Sequence, residues 1–272
     1  MKGYRVEPGS KVKLDKLSPD DTGTFDPKDD GKAKAQAKTN ECIEKISLLQ
    51  ERLFAHGTQS VLIVLQGMDT SGKDGTIKHV MSGVNPQGCH VATFKAPSHR
   101  ELSHDFLWRI HRETPAKGYI GLFNRSHYED VLSPRVHGLV SDTIVMQRFS
   151  HITDFERMLE QNGTTILKFF LHISKDEQRQ RLEARIRDPE KRWKFNLNDL
   201  AERKLWGQYQ RAYEDAISAT STAFAPWFIV PANYKWYRNL VVAETVVSAL
   251  ELMKLKCPPI PAGIDFDTLK IE

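Results

Sequence analysis

Residues 67–74, GMDTSGKD, set two glycines five apart and follow them with a lysine and an aspartate. The spacing fits the phosphate-loop pattern GxxxxGK, with Asp74 where a Ser or Thr usually stands. Glycines let the backbone turn so that successive N–H groups point inward at phosphate oxygens. A helix starting at Lys73 would add its N-terminal partial charge, and the lysine would reach between phosphates. Gly67, Ser71, Gly72, Lys73 and Asp74 are therefore the phosphate-binding candidates. Asp74 replaces a hydroxyl that ordinarily ligates magnesium; it could bind the metal, hold its waters, or pair with Lys73 or Lys78. Asp69 brings negative charge among phosphate-binding amides. That points to a metal or a donor such as a ribose hydroxyl, against the plainer reading of a capped turn.

A second cluster is NRSHYED, residues 124–130. Asn124 ends an apolar run, where kinases of this architecture place an acid that helps hold magnesium. Arg125 could bridge the phosphates of donor and acceptor. Glu129 and Asp130, one turn into the next helix, could supply the missing carboxylate, or could only stabilise the helix dipole. His127 reads as a packed histidine rather than a catalyst.

The third is basic. From Lys175 to Lys194 there are eight Lys/Arg against five Asp/Glu. Arg181 and Arg185 are four apart and share a helix face. With Lys191 and Arg192 they suggest a helix leading into a flap that closes over a phosphate chain and excludes water. Arg179 and Arg187 read as solvated, and a plain helix–helix loop over residues 188–197 is the competing reading. Ser174 and Glu177 match a capping box.

These groups need a frame. SVLIVLQ (60–66) reads as a buried strand feeding the glycine loop, and further strands are predicted at 89–94, 119–123, 165–173 and 227–231. Helical patterns lie between them, near 34–56, 73–83, 101–112, 127–138, 142–161, 175–187, 198–219 and 236–255. Near-continuous apolar strands alternating with helices argue a parallel sheet covered on both faces, hence a three-layer α/β/α fold. Residues 1–33 read as a polar arm over the surface, 34–256 as the folded domain with a lid at about 180–200, and 257–272 as a tail.

The chain has 272 residues, 40% of them apolar and 27% charged, with a net charge of +4. It is long enough for a core without staples and too weakly basic for nucleic-acid binding to follow from charge. No run approaches the roughly 18 apolar residues of a membrane span. The opening MKGYRVEPGSKVKLDK lacks the apolar run of a secretory signal. Cys42, Cys89 and Cys257 form neither a disulfide framework nor a zinc site. A cytoplasmic protein with no membrane or nucleic-acid partner is expected.

Taken in order, LQGMDTSGKDGTIKHV, GVNPQG, FNRSHYEDVL, FFLHISKDEQRQRL and PEKRWKF resemble polyphosphate kinase family 2 over roughly residues 35–255. The resemblance implies a thymidylate-kinase-like P-loop fold with a helical lid. It implies phosphoryl transfer between inorganic polyphosphate and nucleotides with Mg²⁺, or Mn²⁺ in its place. It puts Asp69, Lys73, Asp74, Asn124 and Arg125 around the reacting phosphates and metal, and Arg181, Arg185, Lys191 and Arg192 in the lid. Many relatives have Asp where this chain has Asn124, which unsettles the metal set of Asp69, Asp74 and Asp130. The FNRSHYED version is similar to the subgroup acting on nucleoside mono- and diphosphates, with Glu129 near the nucleotide. AMP and ADP are the expected acceptors, guanine nucleotides further ones, and a homodimer or homotetramer the expected assembly. Direct in-line transfer is expected, without a phosphohistidine. The alternative is an ATP-dependent nucleoside monophosphate kinase of thymidylate-kinase type; a nucleotide- or nucleic-acid-binding protein without catalysis is the remaining class.

Overall fold

The computed structural model describes residues 2–259; most of the expected C-terminal tail lies outside them. Five strands form one parallel sheet: β1 (Ser60–Gln66), β2 (Cys89–Thr93), β3 (Ile120–Asn124), β4 (Thr164–His172) and β5 (Trp227–Pro231), in the order β2-β3-β1-β4-β5. Every residue of β1 is buried, because β3 and β4 flank it and helices cover both faces. That double burial is why its sequence is continuously apolar instead of alternating.

On one face α1 (Gly31–His56), α2 (Lys73–Val80) and α10 (Lys235–Leu252) pack together; on the other lie α5 (Glu129–Val136), α6 (Asp142–Gln161) and α9 (Trp206–Thr220). The three expected layers are present. Helix α7 (Lys175–Arg187) leads through a turn at Arg192–Lys194 into α8 (Asn198–Lys204).

The differences from the sequence reading have local causes. The helix expected over 101–112 is two short pieces, α3 (His99–Leu102) and α4 (Trp108–His111). The Asp105 carboxylate accepts the Leu107 N–H at 3.0 Å, closing a turn that competes with helix. The pattern over 198–219 breaks at Leu205, between α8 and α9. The third strand ends on Asn124, one residue later than read. The capping box at α7 is half formed. Ser174 Oγ accepts the Glu177 N–H at 3.0 Å, but the Glu177 carboxylate turns to Arg181 Nε at 2.6 Å.

The arm is more than surface cover. Val6, Val12 and Leu14 are buried, and the Val6 N–H donates to the Trp227 carbonyl at 2.8 Å, so the arm closes the β5 edge. Among the described residues no helix is long and apolar enough to cross a membrane.

Candidate active site

Strand order reverses about β1, and ligands of such sheets bind in the crevice beyond the carboxyl ends of the strands at that point. The loop between β1 and α2 stands there. Its Ser71 N–H bonds the Met68 carbonyl at 3.0 Å. Gly67 and Gly72 adopt φ of +149° and +102°, where a side chain is strained. Space forbids one as well: a Cβ at Gly67 would lie 2.8 Å from the Leu171 carbonyl, and one at Gly72 only 1.9 Å from Arg238 Nη1. Lys73 is the first residue of α2. Its buried Nζ donates to the Gly67 carbonyl at 2.8 Å and the Met68 carbonyl at 3.4 Å. Burial, then the nearby Arg125, weakens its hold on its proton, against the pull of Asp69, Glu129 and Asp74.

Register brings the second cluster alongside, since Leu65 of β1 pairs with Asn124 of β3. Arg125 leaves the strand at φ +62°, unusual for a residue with a side chain. Its Nη2 meets Asp69 Oδ1 at 2.9 Å and its Nη1 lies 3.6 Å from Glu129 Oε2. Burial opposes the Arg125 charge, but Glu129 and Asp69 outweigh it and raise its pKa. Glu129 Oε1 accepts from Gln66 Nε2 at 3.3 Å; burial raises its pKa against the pull of Arg125 and Lys73. Asn124 Nδ2 donates to Asp74 Oδ1 at 2.7 Å, so Asp74 is held by the strand-end amide, and among the described residues it pairs with neither Lys73 nor Lys78. Asp69, Lys73, Asp74, Asn124, Arg125 and Glu129 thus share one neighbourhood.

Asp130 is engaged differently. Arg109 Nη2 reaches its carboxylate at 3.2 Å and Arg148 its carbonyl at 2.5 Å. His127 is fully buried, its Nε2 3.1 Å from Glu156 Oε1. Beside it Glu156 accepts from Tyr128 Oη at 2.8 Å and Lys168 Nζ at 2.6 Å, in a polar network under the Arg125–Glu129 turn.

The basic residues divide. Arg181 does not project from the flap. Its guanidinium donates to the carbonyls of Thr70, Ser71, Ala232 and Asn233 at 2.6–3.0 Å and so clamps the phosphate loop to the start of the β5–α10 connection. Arg185 holds the Lys194 carbonyl at 3.2 Å and lies 3.5 Å from Asp199. Lys191 pairs with Asp188, and Arg192 Nε donates to the Ile186 carbonyl at 2.9 Å, both in the exposed turn after α7. Arg179 and Arg187 meet Asp176 and Glu183 on the solvated side.

Between the β1–α2 loop and the segment running from α7 to α9 opens a cleft of about 730 Å³. Gly67, Met68, Asp69, Lys95–Pro97, Arg125 and Glu129 line it, together with Asn196, Asp199 and Glu202 from the segment between α7 and α9. Two residues that sequence reasoning missed support this geometry. Gln178, on α7, donates to the Asp69 carbonyl at 3.1 Å and accepts from Arg203 of α8 at 2.9 Å. Arg238, on α10, donates to the Ser71 carbonyl at 3.3 Å. The available signal for Arg238 was an arginine on the apolar face of a helix; Gln178 carried none.

Sheet order, glycine loop and loop-facing arginines together define a P-loop kinase-like α/β protein. The family model described as Polyphosphate kinase 2 matches residues 28–258. The chain belongs to that family. It is 53% identical over 258 residues to the AMP/ADP-polyphosphate phosphotransferase of Meiothermus ruber, covering 95% of this chain and 96% of that one. It is 44% identical to the ADP-polyphosphate phosphotransferase of Rhodopseudomonas palustris, covering 94% and 92%. The crystal structure of Polyphosphate Kinase 2 from Arthrobacter aurescens TC1 superposes with a TM-score of 0.91 at 44% identity, covering 97% of this chain and 92% of that one.

Proposed function

We propose that the protein transfers phosphoryl groups reversibly between inorganic polyphosphate and AMP or ADP. The observation that carries the reading is that the nucleotide-sized cleft and the phosphate loop share Gly67, Met68 and Asp69. An acceptor in the cleft would thus have its phosphate at the loop. The Meiothermus ruber relative, named for AMP/ADP and polyphosphate and alike over nearly both whole chains, supports that donor and those acceptors over the ATP-dependent alternative.

The terminal phosphate of AMP or ADP is already ionised at neutral pH, so no strong base is needed. Transfer requires alignment and cancellation of charge. The Gly72 N–H and Lys73 hold the donor end, while Arg125, fixed by Asp69 and Glu129, meets the acceptor phosphate. Arg185, Lys191 and Arg192 belong to the cover that keeps water out. His127, sealed and paired with Glu156, fits direct transfer.

Asp69 and Asp74 fit a divalent metal in part. Among the described residues no three His, Cys, Asp or Glu side chains converge as a complete site. That suits a hard ion such as Mg²⁺, or Mn²⁺ in its place, which keeps waters and takes most ligands from substrate phosphates. Asp74, oriented by Asn124, and Asp69 are its protein ligands in this reading; Asp130, paired with Arg109, is the weaker candidate. An ion held there by Asp69 and Asp74 would supply positive charge to offset that of the reacting phosphates.

Exposed Leu139 and Met146 leave apolar surface for the second copy of a homodimer or homotetramer, measurable by light scattering. Three free cysteines suit a reducing cytoplasm. The deciding experiment incubates the pure protein with Mg²⁺, polyphosphate and AMP and chromatographs the nucleotides over time, with GMP in parallel. ADP and then ATP are expected; activity only with a nucleoside triphosphate donor overturns the reading.

A further inference from the structure

Arg238 is almost wholly buried, yet no carboxylate lies within ion-pairing distance among the described residues. Its Nε and Nη2 donate to Asn239 Oδ1 at 3.1 and 2.8 Å, and its Nη1 to the Ser71 carbonyl at 3.3 Å. Its neighbour Arg181, which also donates to the Ser71 carbonyl at 3.0 Å, is answered by Glu177 at 2.6 Å. Arg238 has no such answer. Burial and the like charge of Arg181 push its pKa down to about 9. A buried unpaired charge is costly, and this one is pressed against the phosphate loop. Its Nη1 sits 1.9 Å from where a Cβ of Gly72 would stand, and its Nη2 3.7 Å from that of Gly75.

The same contact orients the loop. In a planar trans peptide the C=O and N–H point in opposite directions. Two guanidiniums hold the Ser71 carbonyl, so the following Gly72 N–H is directed away from them. Among the described residues it donates to no acceptor, at the start of α2.

We propose that Arg238 is a positioning residue for the phosphate chain: a buried, uncompensated guanidinium behind the Ser71–Gly72 peptide whose charge the bound chain neutralises. The inference rests on the polyphosphate reading and extends it to a residue that need not touch the substrate. It also accounts for Asn239, a neutral acceptor where an aspartate would form an ion pair and cancel the charge.

The test is calorimetric titration of the full-length protein with inorganic tripolyphosphate, alongside thermal melting. The variants are Arg238→Met, Arg238→Lys and Asn239→Asp. Asn239→Asp keeps the guanidinium and its Ser71 contact but supplies the missing anion. Affinity for tripolyphosphate should fall on the order of tenfold in Arg238→Met and Asn239→Asp, as for one nearby charge in a partly screened site. Arg238→Lys should bind less tightly than the parent, because a single ammonium cannot hold both Asn239 Oδ1 and the Ser71 carbonyl. Asn239→Asp should melt at or above the parent temperature, since it pairs a buried charge; a purely structural role would leave binding untouched. If Asn239→Asp binds tripolyphosphate as tightly as a parent that binds it well, this inference falls and the polyphosphate reading stands, whether or not Arg238→Met folds. A parent protein that does not bind tripolyphosphate overturns both.

Discussion

Replacing Glu156 by Gln tests whether the buried network supports the Arg125–Glu129 turn. Glu156 and Lys168 are both fully buried and 2.6 Å apart. Lys168 Nζ also donates to Tyr128 Oη at 2.9 Å and the Thr220 carbonyl at 2.8 Å, so the ammonium is fully engaged. Burial alone would raise the Glu156 pKa, but Lys168 and His127 outweigh it and hold it below the ordinary value. Gln keeps the shape and removes the charge, leaving Lys168 unpaired. Breaking a buried pair from one side costs about 3–5 kcal/mol, which for a chain of this size lowers the melting temperature by about 5–9 °C. Adding Lys168→Met removes the orphaned charge and should recover most of the loss, giving a coupling energy from the double-mutant cycle. Turnover of Glu156→Gln, measured well below its melting temperature, should also fall, because His127 and Tyr128 anchor the turn that carries Arg125 and Glu129. The acid limb gives an independent check. A depressed carboxylate pKa contributes stability that is present at neutral pH and lost as pH falls through the folded-state value. The parent should therefore lose stability on acidification more steeply than Glu156→Gln. Calorimetry showing a single mutant within about 2 °C of the parent would refute the reasoning.

Lys73→Met should lower kcat by on the order of a hundredfold or more, as expected when charge stabilisation at the reacting group is lost. Its melting temperature should hold, since the buried ammonium meets carbonyls and no carboxylate; kcat near the parent value rules out the role. Glu129→Gln should raise stability at neutral pH. The folded-state pKa is lifted by burial, so this group favours folding at low pH and loses that contribution as pH rises through the folded value. The same variant should change the ratio of initial rates with AMP and ADP, and an unchanged ratio removes Glu129 from the nucleotide site. Gly72→Ala should abolish tripolyphosphate binding, because its Cβ would overlap the Arg238 guanidinium at a strained φ; calorimetric binding at the parent level refutes this.

How much of this was legible follows from what each signal encodes. SVLIVLQ and WFIVP matched β1 and β5 residue for residue, because strands buried on both faces announce themselves by composition alone. Residues 142–161 and 175–187 matched α6 and α7, whose starts carry Ser141 and Ser174 as side-chain caps. The break at Asp105 was not visible, because a carboxylate turning back on Leu107 looks like any polar residue in a helical run. The arm misled for the opposite reason: Val12 and Leu14 are few among polar neighbours, yet they are buried. In the site, the loop residues were legible because φ values of +149° and +102° demand glycine at Gly67 and Gly72, and glycines print in the sequence. Spacing showed that Arg181 and Arg185 share a helix face but not what that face meets. Arg181 turned to the loop carbonyls while Arg185 turned to the flap. Contacts between distant segments, such as Gln178 to the Asp69 carbonyl and Arg238 to that of Ser71, depend on how α7 and α10 dock, which no local pattern records. The groups proposed to touch phosphate rest on residue type and spacing, which the chain prints. The groups that hold those residues in place answer only to the packing of the finished fold.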